Sequence, residues 1–310
     1  MQAVVVDRSA PGGLALANVA EPVPLPSEAL VRVAAVSLNL GEIRRAKNLA
    51  DGWRAGWDFA GTVERAAADG SGPHAGARVV GMLGEGAWAE RVAAPTKSLA
   101  IVPAAVDFER AATLPIAGLT ALYALGKRGS LLGRRVLITG ASGGVGMFAT
   151  QLARLAGAHV TALVHRPEKR AAVAANADVV VVGDAAGVAH ETGPFDLILE
   201  SVGGDMFASA LRELADDGLL VTFGTSAERT STIDVASFYG LGGLAIYGFI
   251  IFHELEREPA GGGLARLAAL LDAGKLAVHI DGVVPIEQIG EAAERLWSRG
   301  VTGKLVATFS

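Results

Sequence analysis

The 310-residue chain contains no cysteine, which excludes disulfides, thiolate nucleophiles and cysteine-ligated zinc together. Its chemistry falls to other groups. Blocks of like charge are also missing: 27 basic residues face 32 acidic ones, for a net charge of −5, so no nucleic-acid footprint is expected. Long apolar runs are scarce, and the exception, residues 235–252, is an 18-residue stretch without a charge that reaches the nominal length of a spanning helix. Gly240, Gly242, Gly243 and Gly248 weaken a helix there, Asp234 and Glu254 abut the run, and no basic flank accompanies it. It is therefore expected to be buried in protein, not lipid. Residues 1–7 offer only a short apolar run (3–6) before a charge, too little for a secretory signal, and a cytoplasmic location is expected. With 51% apolar residues at this length, two domains are expected.

The densest signal present is Val136-Leu137-Ile138-Thr139-Gly140-Ala141-Ser142-Gly143-Gly144-Val145-Gly146, an apolar run that breaks into glycines and then into a helical segment. Such a strand, turn and helix grips phosphate. Gly143 and Gly144 let main chain approach a pyrophosphate, Gly146 lets the helix pack on its strand, and the free N–H groups of the helix start, with Ser142 and Val145 beside them, favour an anion. The helix continues over 147–156 with Phe148, Leu152 and Leu155 on one apolar face, Gly157 stops it, and 160–164 forms the next strand. That context lends weight to a motif whose first glycine is replaced by Ala141.

Residues 135–224 alternate β-branched and helical runs, with strands at 136–139, 160–164, 179–182, 197–199 and 219–223 and helices near 168–175, 185–191 and 206–215. This pattern implies a doubly wound parallel sheet with ligands at the carboxyl ends of its strands. The first hundred residues instead give short strands such as 29–36 and 59–63 among many prolines and glycines, a mostly β domain. Residues 108–125 have helical spacing and link the two. The tail 278–309, with a helix near 286–297, is expected to complete the first domain.

Further segments carry a resemblance: Ser37-Leu38-Asn39, Gly56-Trp57-Asp58-Phe59-Ala60-Gly61-Thr62-Val63, Gly76-Ala77-Arg78-Val79-Val80, Gly86-Ala87-Trp88-Ala89-Glu90, residues 111–121, Glu200-Ser201-Val202-Gly203-Gly204 and Gly303-Lys304-Leu305-Val306. In this order they resemble the medium-chain dehydrogenase/reductase superfamily, in its zinc-free quinone oxidoreductase and enoyl reductase branch. The resemblance implies an α/β protein: a GroES-like mostly-β catalytic domain, residues 1–112 and 250–310, with a Rossmann domain, residues 113–249. It also implies a nicotinamide cofactor between the domains and a homodimer. Zinc-dependent members carry a cysteine near the position of Asn39 and a His-Glu pair where this chain has Trp57-Asp58. None of the six histidines forms a pair with metal-site spacing, so reduction of a conjugated carbonyl or a quinone is expected, not alcohol oxidation.

An NAD site places Asp or Glu at the end of the second strand, for the ribose 2′-hydroxyl. Here that strand ends in Val164-His165-Arg166-Pro167, and Arg166, helped by His165 and Lys169, suits a 2′-phosphate. NADPH is the expected cofactor. Glu168 is read as serving the helix dipole.

The resemblance further implies that Asn39 lies near the nicotinamide ribose or the substrate carbonyl, where its amide can both donate and accept. Thr120 faces the nicotinamide by the same likeness. Ser201 and Val202, then Phe223, Gly224 and Thr225, end strands beside the cofactor, and Phe249, Ile250 and Ile251 run along the nicotinamide and the dimer edge. Lys304 belongs to a segment that closes over the cofactor, or is a surface lysine at a strand start. Hydride transfer to an enone builds negative charge on oxygen and then needs a proton. Tyr123, placed among the catalytic residues with Asn39 and Thr120, Tyr239, Tyr247, Lys47 and His253 can each give one, and the residues do not choose among them. Arg44, Arg45 and Lys47 read as a solvated helix face, and Trp53 and Trp57 either roof an aromatic substrate or pack in the β domain. The expected function is NADPH-dependent, zinc-independent reduction of a small quinone or enone. The alternatives are biosynthetic tailoring on the same fold and cofactor binding without turnover.

Overall fold

The structure, a computed structural model, describes residues 1–240 and 242–309, and of Ala189 and Ser237 the backbone alone. Contacts divide the chain into two compact units, Met1–Leu119 with Leu255–Ser310, and Thr120–Glu254. The sequence reading placed these joins at 112/113 and 249/250.

The first unit begins with β1 (Gln2–Val6) and β2 (Leu14–Asn18), an antiparallel pair. Its main sheet is organised on the ten-residue β3 (Glu28–Ser37), whose inward positions Ala29, Val31, Val33 and Ala35 alternate with more exposed ones, as a strand with one buried face requires. β3 pairs antiparallel with β4 (Asp58–Arg65) and β6 (Arg91–Pro95), and β4 continues to β5 (Arg78–Met82) and β7 (Leu99–Ile101). Directly after β3, α1 (Leu40–Ala46) starts at Asn39, where Glu42 turns back to accept from the Asn39 N–H at 2.8 Å. Then α2 (Phe108–Ala112) leads into a π-helical turn, Leu114–Gly118, and α3 (Leu119–Gly126) crosses into the second unit.

In the second unit six parallel strands alternate with helices. They are β8 (Arg135–Ile138), β9 (His159–Val164), β10 (Val179–Val182), β11 (Phe195–Glu200), β12 (Leu214–Thr222) and β13 (Ala245–Gly248), in the spatial order β10-β9-β8-β11-β12-β13. Every neighbouring pair is parallel. The helices are α4 (Gly144–Leu155), α5 (Arg170–Ala174), α6 (Val188–Thr192), α7 (Gly204–Arg212), α8 (Val235–Gly240) and α9 (Ile251–Glu254). From β8 the chain winds outward through β9 and β10, then crosses to β11 and winds the other way. The direction changes between the carboxyl ends of β8 and β11, where α/β sheets bind ligands. Back in the first unit, α10 (Ala260–Asp272) packs against β7 and the π turn. Then β14 (Ile280–Pro285), α11 (Ile289–Trp297) and β15 (Lys304–Thr308) follow, β15 pairing with β3.

Several expectations need correction. The apolar stretch 235–252 is largely exposed: Val235 is 62% exposed, Tyr239 74% and Ile250 65%, with Phe249 and Ile251 enclosed at its end. Its glycines divide it into α8, the edge strand β13 and the start of α9, so no single element gathers enough contacts to bury it; Leu241 lies outside the described residues. No helix among the described residues is long and apolar enough to cross a membrane. The helix expected over 206–215 ends at Arg212, because β12 begins at Leu214. Leu155 is half exposed in the last turn of α4, outside the stripe of Phe148 and Leu152. The strand β13 and the helix α10 had no counterpart in the sequence reading.

Candidate active site

The glycine turn links β8 to α4 in the second unit. Gly140 has φ +59°, a left-handed conformation that turns the chain sharply off the strand. A Cβ on Gly146 would stand 2.5 Å from the Gly140 carbonyl oxygen and 2.6 Å from Ala141 Cα, so the helix lies directly on the turn only because residue 146 has no side chain. The N-cap, Gly143, has no side chain to satisfy the first-turn N–H groups of α4. An open helix start of this kind favours an anion. Ser142, Gly144 and Val145 are half-buried in it.

On the neighbouring strand Glu200 ends β11 fully buried. Its Oε1 accepts from Val202 N at 2.6 Å, Gly203 N at 3.0 Å and Thr139 Oγ1 at 3.4 Å, and Oε2 from Thr222 Oγ1 at 3.5 Å. The Ser201 N–H donates to Thr139 Oγ1 at 3.1 Å. One carboxylate thus ties together the ends of β8, β11 and β12. Burial pushes its carboxyl up, against the N–H groups of Gly203 and Val202 that favour the anion. Sequence reasoning quoted Glu200 only as part of a motif.

The other second-unit candidates fall at strand ends as expected. His165 and Arg166 follow β9, both exposed, with Lys169 half-buried one turn on. Arg166 Nε lies 3.4 Å from Glu168 Oε1, so Glu168 partners the arginine that was assigned to the cofactor. Phe223, Gly224 and Thr225 follow β12, half-buried; after β13, Phe249 and Ile251 are buried while Ile250 is exposed. Thr120 and Tyr123 are buried on α3. Of the other proton-donor candidates, Tyr239 and His253 are exposed, Lys47 sits 3.2 Å from the Trp297 ring centroid, and the Tyr247 hydroxyl donates to Glu254. Glu254 in turn pairs with Lys127.

The first unit holds a second assembly that the sequence did not show. Lys304, on β15, is only 4% exposed, which removes the surface-lysine alternative; Glu42 and Asp58 are equally enclosed. Lys304 Nζ donates to the Leu38 carbonyl at 2.8 Å and to Asn39 Oδ1, and lies 3.9 Å from Asp58 Oδ2. Asn39 Nδ2 donates to Asp58 Oδ2 at 2.8 Å and Glu42 Oε2 at 3.0 Å. Asp58 Oδ1 accepts from the Ile116 N–H at 3.0 Å, capping the first turn of the π helix, and Glu42 Oε1 accepts from Trp57 N. Burial pushes Asp58 up to about 6 against the pull of Lys304, and raises Glu42 well above its ordinary value with the Asp58 charge adding to it; burial pulls Lys304 down. Glu42 was given no role in the sequence reading. The available signal was its spacing: a carboxylate three residues after an N-cap Asn turns back toward that cap. Nearby, Gly41 packs on the Trp57 ring.

Residues 25–104 match the alcohol dehydrogenase GroES-like domain family, and residues 175–306 the zinc-binding dehydrogenase family. The quinone oxidoreductase of Thermus thermophilus, solved alone and in complex with NADPH, is 30% identical over the whole of both chains, with a TM-score of 0.83. The chain belongs to the medium-chain dehydrogenase/reductase superfamily. A mycobacterial protein complexed with NADPH is 28% identical, covers all of both chains and has a TM-score of 0.88. Mouse prostaglandin reductase-3 is 27% identical across 99% of this chain and 89% of its own length. The superfamily relatives are oxidoreductases, and this chain is an enzyme of that class. Asp58 is engaged by Asn39, Ile116 and Lys304.

Proposed function

We propose that the protein is an NADPH-dependent reductase of a quinone or an α,β-unsaturated carbonyl that works without zinc. The observation that carries this reading is the uncapped start of α4 on its glycine turn, with Arg166 standing where an NAD site has an acid. The relatives solved with NADPH, and those named quinone oxidoreductase and prostaglandin reductase, support it. When bound, NADPH supplies a hydride. The open turn of α4 holds the pyrophosphate, Arg166 with His165 and Lys169 holds the 2′-phosphate, and the ends of β11, β12 and β13 line the rest of the cofactor. Thr120 meets the reacting end. A conjugated acceptor fits this residue set because its reduction involves no alcohol that a Lewis acid must ionise.

The test is NADPH oxidation across a panel of quinones, enals and enones. Turnover with at least one class is expected. Binding of NADPH without oxidation across the panel sinks the reductase reading and leaves a cofactor-binding protein; no binding of either nucleotide sinks the phosphate site as well. Arg166→Ala is expected to raise the KM for NADPH by about 10- to 100-fold and leave that for NADH within about twofold, since a charge-assisted pair contributes on the order of 1.5–3 kcal/mol. Equal effects on both nucleotides would remove Arg166 from the site.

A homodimer belongs to the same reading. β13 lies at the edge of its sheet and leaves Ile246 40% exposed. Light scattering is expected to give about twice the chain mass of 31.6 kDa; a mass of one chain would refute it.

A further inference from the structure

A cavity of about 410 Å³ opens within the first unit, between β1, the single turn Pro11–Gly13, the end of α1 and α11. The reduction proposed above makes no use of it. Its walls are apolar and enclosed: Val6, Ile43, Ala46 and Ala293 are each at most 4% exposed. Ala46 and Ala293 belong to the two helices that meet there, and their short side chains leave the space unfilled. The charged groups stand at its mouth. Lys47 pairs with no carboxylate among the described residues; its ammonium lies 3.2 Å from the centroid of the Trp297 ring, which is itself 43% exposed. Arg8 donates one N–H to the Leu49 carbonyl at 2.9 Å and lies 4.0 Å from Asp51 Oδ1, an exposed pair of little strength. The one acid of the lining, Glu294, accepts from the Gly12 N–H at 2.9 Å. Lys47 and Arg8 against Glu294 leave the lining with an excess of positive charge.

We propose that this cavity binds a small organic carboxylate with an apolar body, the carboxylate at Lys47 and Arg8 and the body against Val6, Ile43, Ala46 and Ala293. The site goes beyond the reductase reading and stands without it. The enclosed aliphatic walls supply the free energy for the body, since each methylene that leaves water there is stabilised. The charges select the head group. An ammonium resting on an exposed indole gains less than one that donates to a carboxylate, so an entering acid draws Lys47 off the Trp297 ring. Arg8 has N–H groups left for the second oxygen. An alcohol of the same length carries the body without the charge, and an amine carries a charge of the wrong sign.

The experiment is calorimetric titration of octanoate, octan-1-ol and octylammonium into the full chain at about pH 7.5, where the acid and the amine are both ionised. Octanoate is expected to bind once per chain and about 10- to 100-fold more tightly than octan-1-ol, the range of one charge-assisted hydrogen bond, with octylammonium weaker than either. Lys47→Gln is expected to weaken octanoate at least about tenfold and to leave octan-1-ol within about twofold. Ala46→Leu, which fills the space from α1, is expected to weaken both. Lys47 is exposed, so where Ala46→Leu fails to fold the lysine variant still decides. Equal affinity for octanoate and octan-1-ol overturns the proposal, as does tighter binding of octylammonium, which would make Glu294 the governing charge. So does octanoate affinity unmoved by Lys47→Gln, or no binding of octanoate at up to about 10 mM. A titration repeated in the presence of NADPH is expected to give the same octanoate affinity; displacement by NADPH puts the acid in the cofactor site and overturns the proposal. A chain that binds no NADPH sinks the reductase reading alone, and Lys47→Gln then decides this site unaided.

Discussion

Lys304→Met is expected to destabilise the protein by about 3–5 kcal/mol in urea unfolding at pH 8, the range for removing one partner of a buried ion pair. Methionine keeps most of the length and the apolar stem, so little of the loss comes from a cavity. The loss is electrostatic. Lys304 Nζ is the cation of the assembly described above, and without it the Asp58 and Glu42 carboxylates remain enclosed with no counter-charge from that group. The Leu38 carbonyl and Asn39 Oδ1 lose their donor in the same step. A measured loss below about 1 kcal/mol would mean that the carboxyl groups are neutral in the folded protein at that pH.

The same substitution has a pH signature whose sign follows from proton binding. Asp58 in the folded protein is pushed up to about 6 from an ordinary 3.8, so between those values the folded state holds a proton that the unfolded state has released. Stability therefore falls as pH rises through that window, by about 3 kcal/mol from this group, taking about 1.4 kcal/mol per pKa unit. Lys304 lowers both carboxyl groups by its charge. Removing it raises them further and steepens the fall, so the destabilisation by Lys304→Met is expected to be smaller at pH 5 than at pH 8. The midpoints belong to the two carboxyl groups together, because Asp58 and Glu42 repel each other. Equal destabilisation at pH 5 and pH 8 would contradict the account.

Legibility in the sequence followed the range of the interactions. The parallel sheet was readable because each of β8, β9 and β10 is a short β-branched run whose neighbour pairs through backbone, and a run such as Val179–Val182 declares itself without knowledge of its partners. The glycine turn was readable for the same reason: strand, glycines and helix are consecutive. β13 was hidden because it lies inside one long apolar stretch, where periodicity cannot separate a short edge strand from the helices that flank it. The acidic and basic groups of the first unit were hidden differently. Asn39 and Lys304 are 265 residues apart, and nothing local to Gly303-Lys304 distinguishes a buried lysine from a surface one. Antiparallel pairing of β15 with β3, Val306 opposite Ser37, brings them together. Only Glu42 left a local trace, through its spacing from Asn39.

Gly146→Ala is expected to raise the Kd for NADPH by at least about 100-fold, some 2.7 kcal/mol, while lowering stability by about 1–3 kcal/mol, the usual range for overpacking. The added Cβ meets backbone on two sides, the Gly140 carbonyl oxygen at 2.5 Å and Ala141 Cα at 2.6 Å, so no rotamer change relieves it. Either α4 slides away from the turn or Gly140–Ala141 shifts outward, and Gly140, with φ +59° and Ser201 Oγ 2.9 Å from where its own Cβ would stand, has little room to move. Both movements pull the first-turn N–H groups of α4 off the position at which they converge on a pyrophosphate, and binding by backbone N–H groups falls steeply with misalignment. The matched control is Gly126→Ala at the end of α3, where an added Cβ meets nothing within 4 Å and the helical propensity of alanine favours the change. Its NADPH affinity should be that of the wild type. If Gly146→Ala binds NADPH as the control does, the glycine is serving helix packing alone and the anion is held elsewhere in the chain.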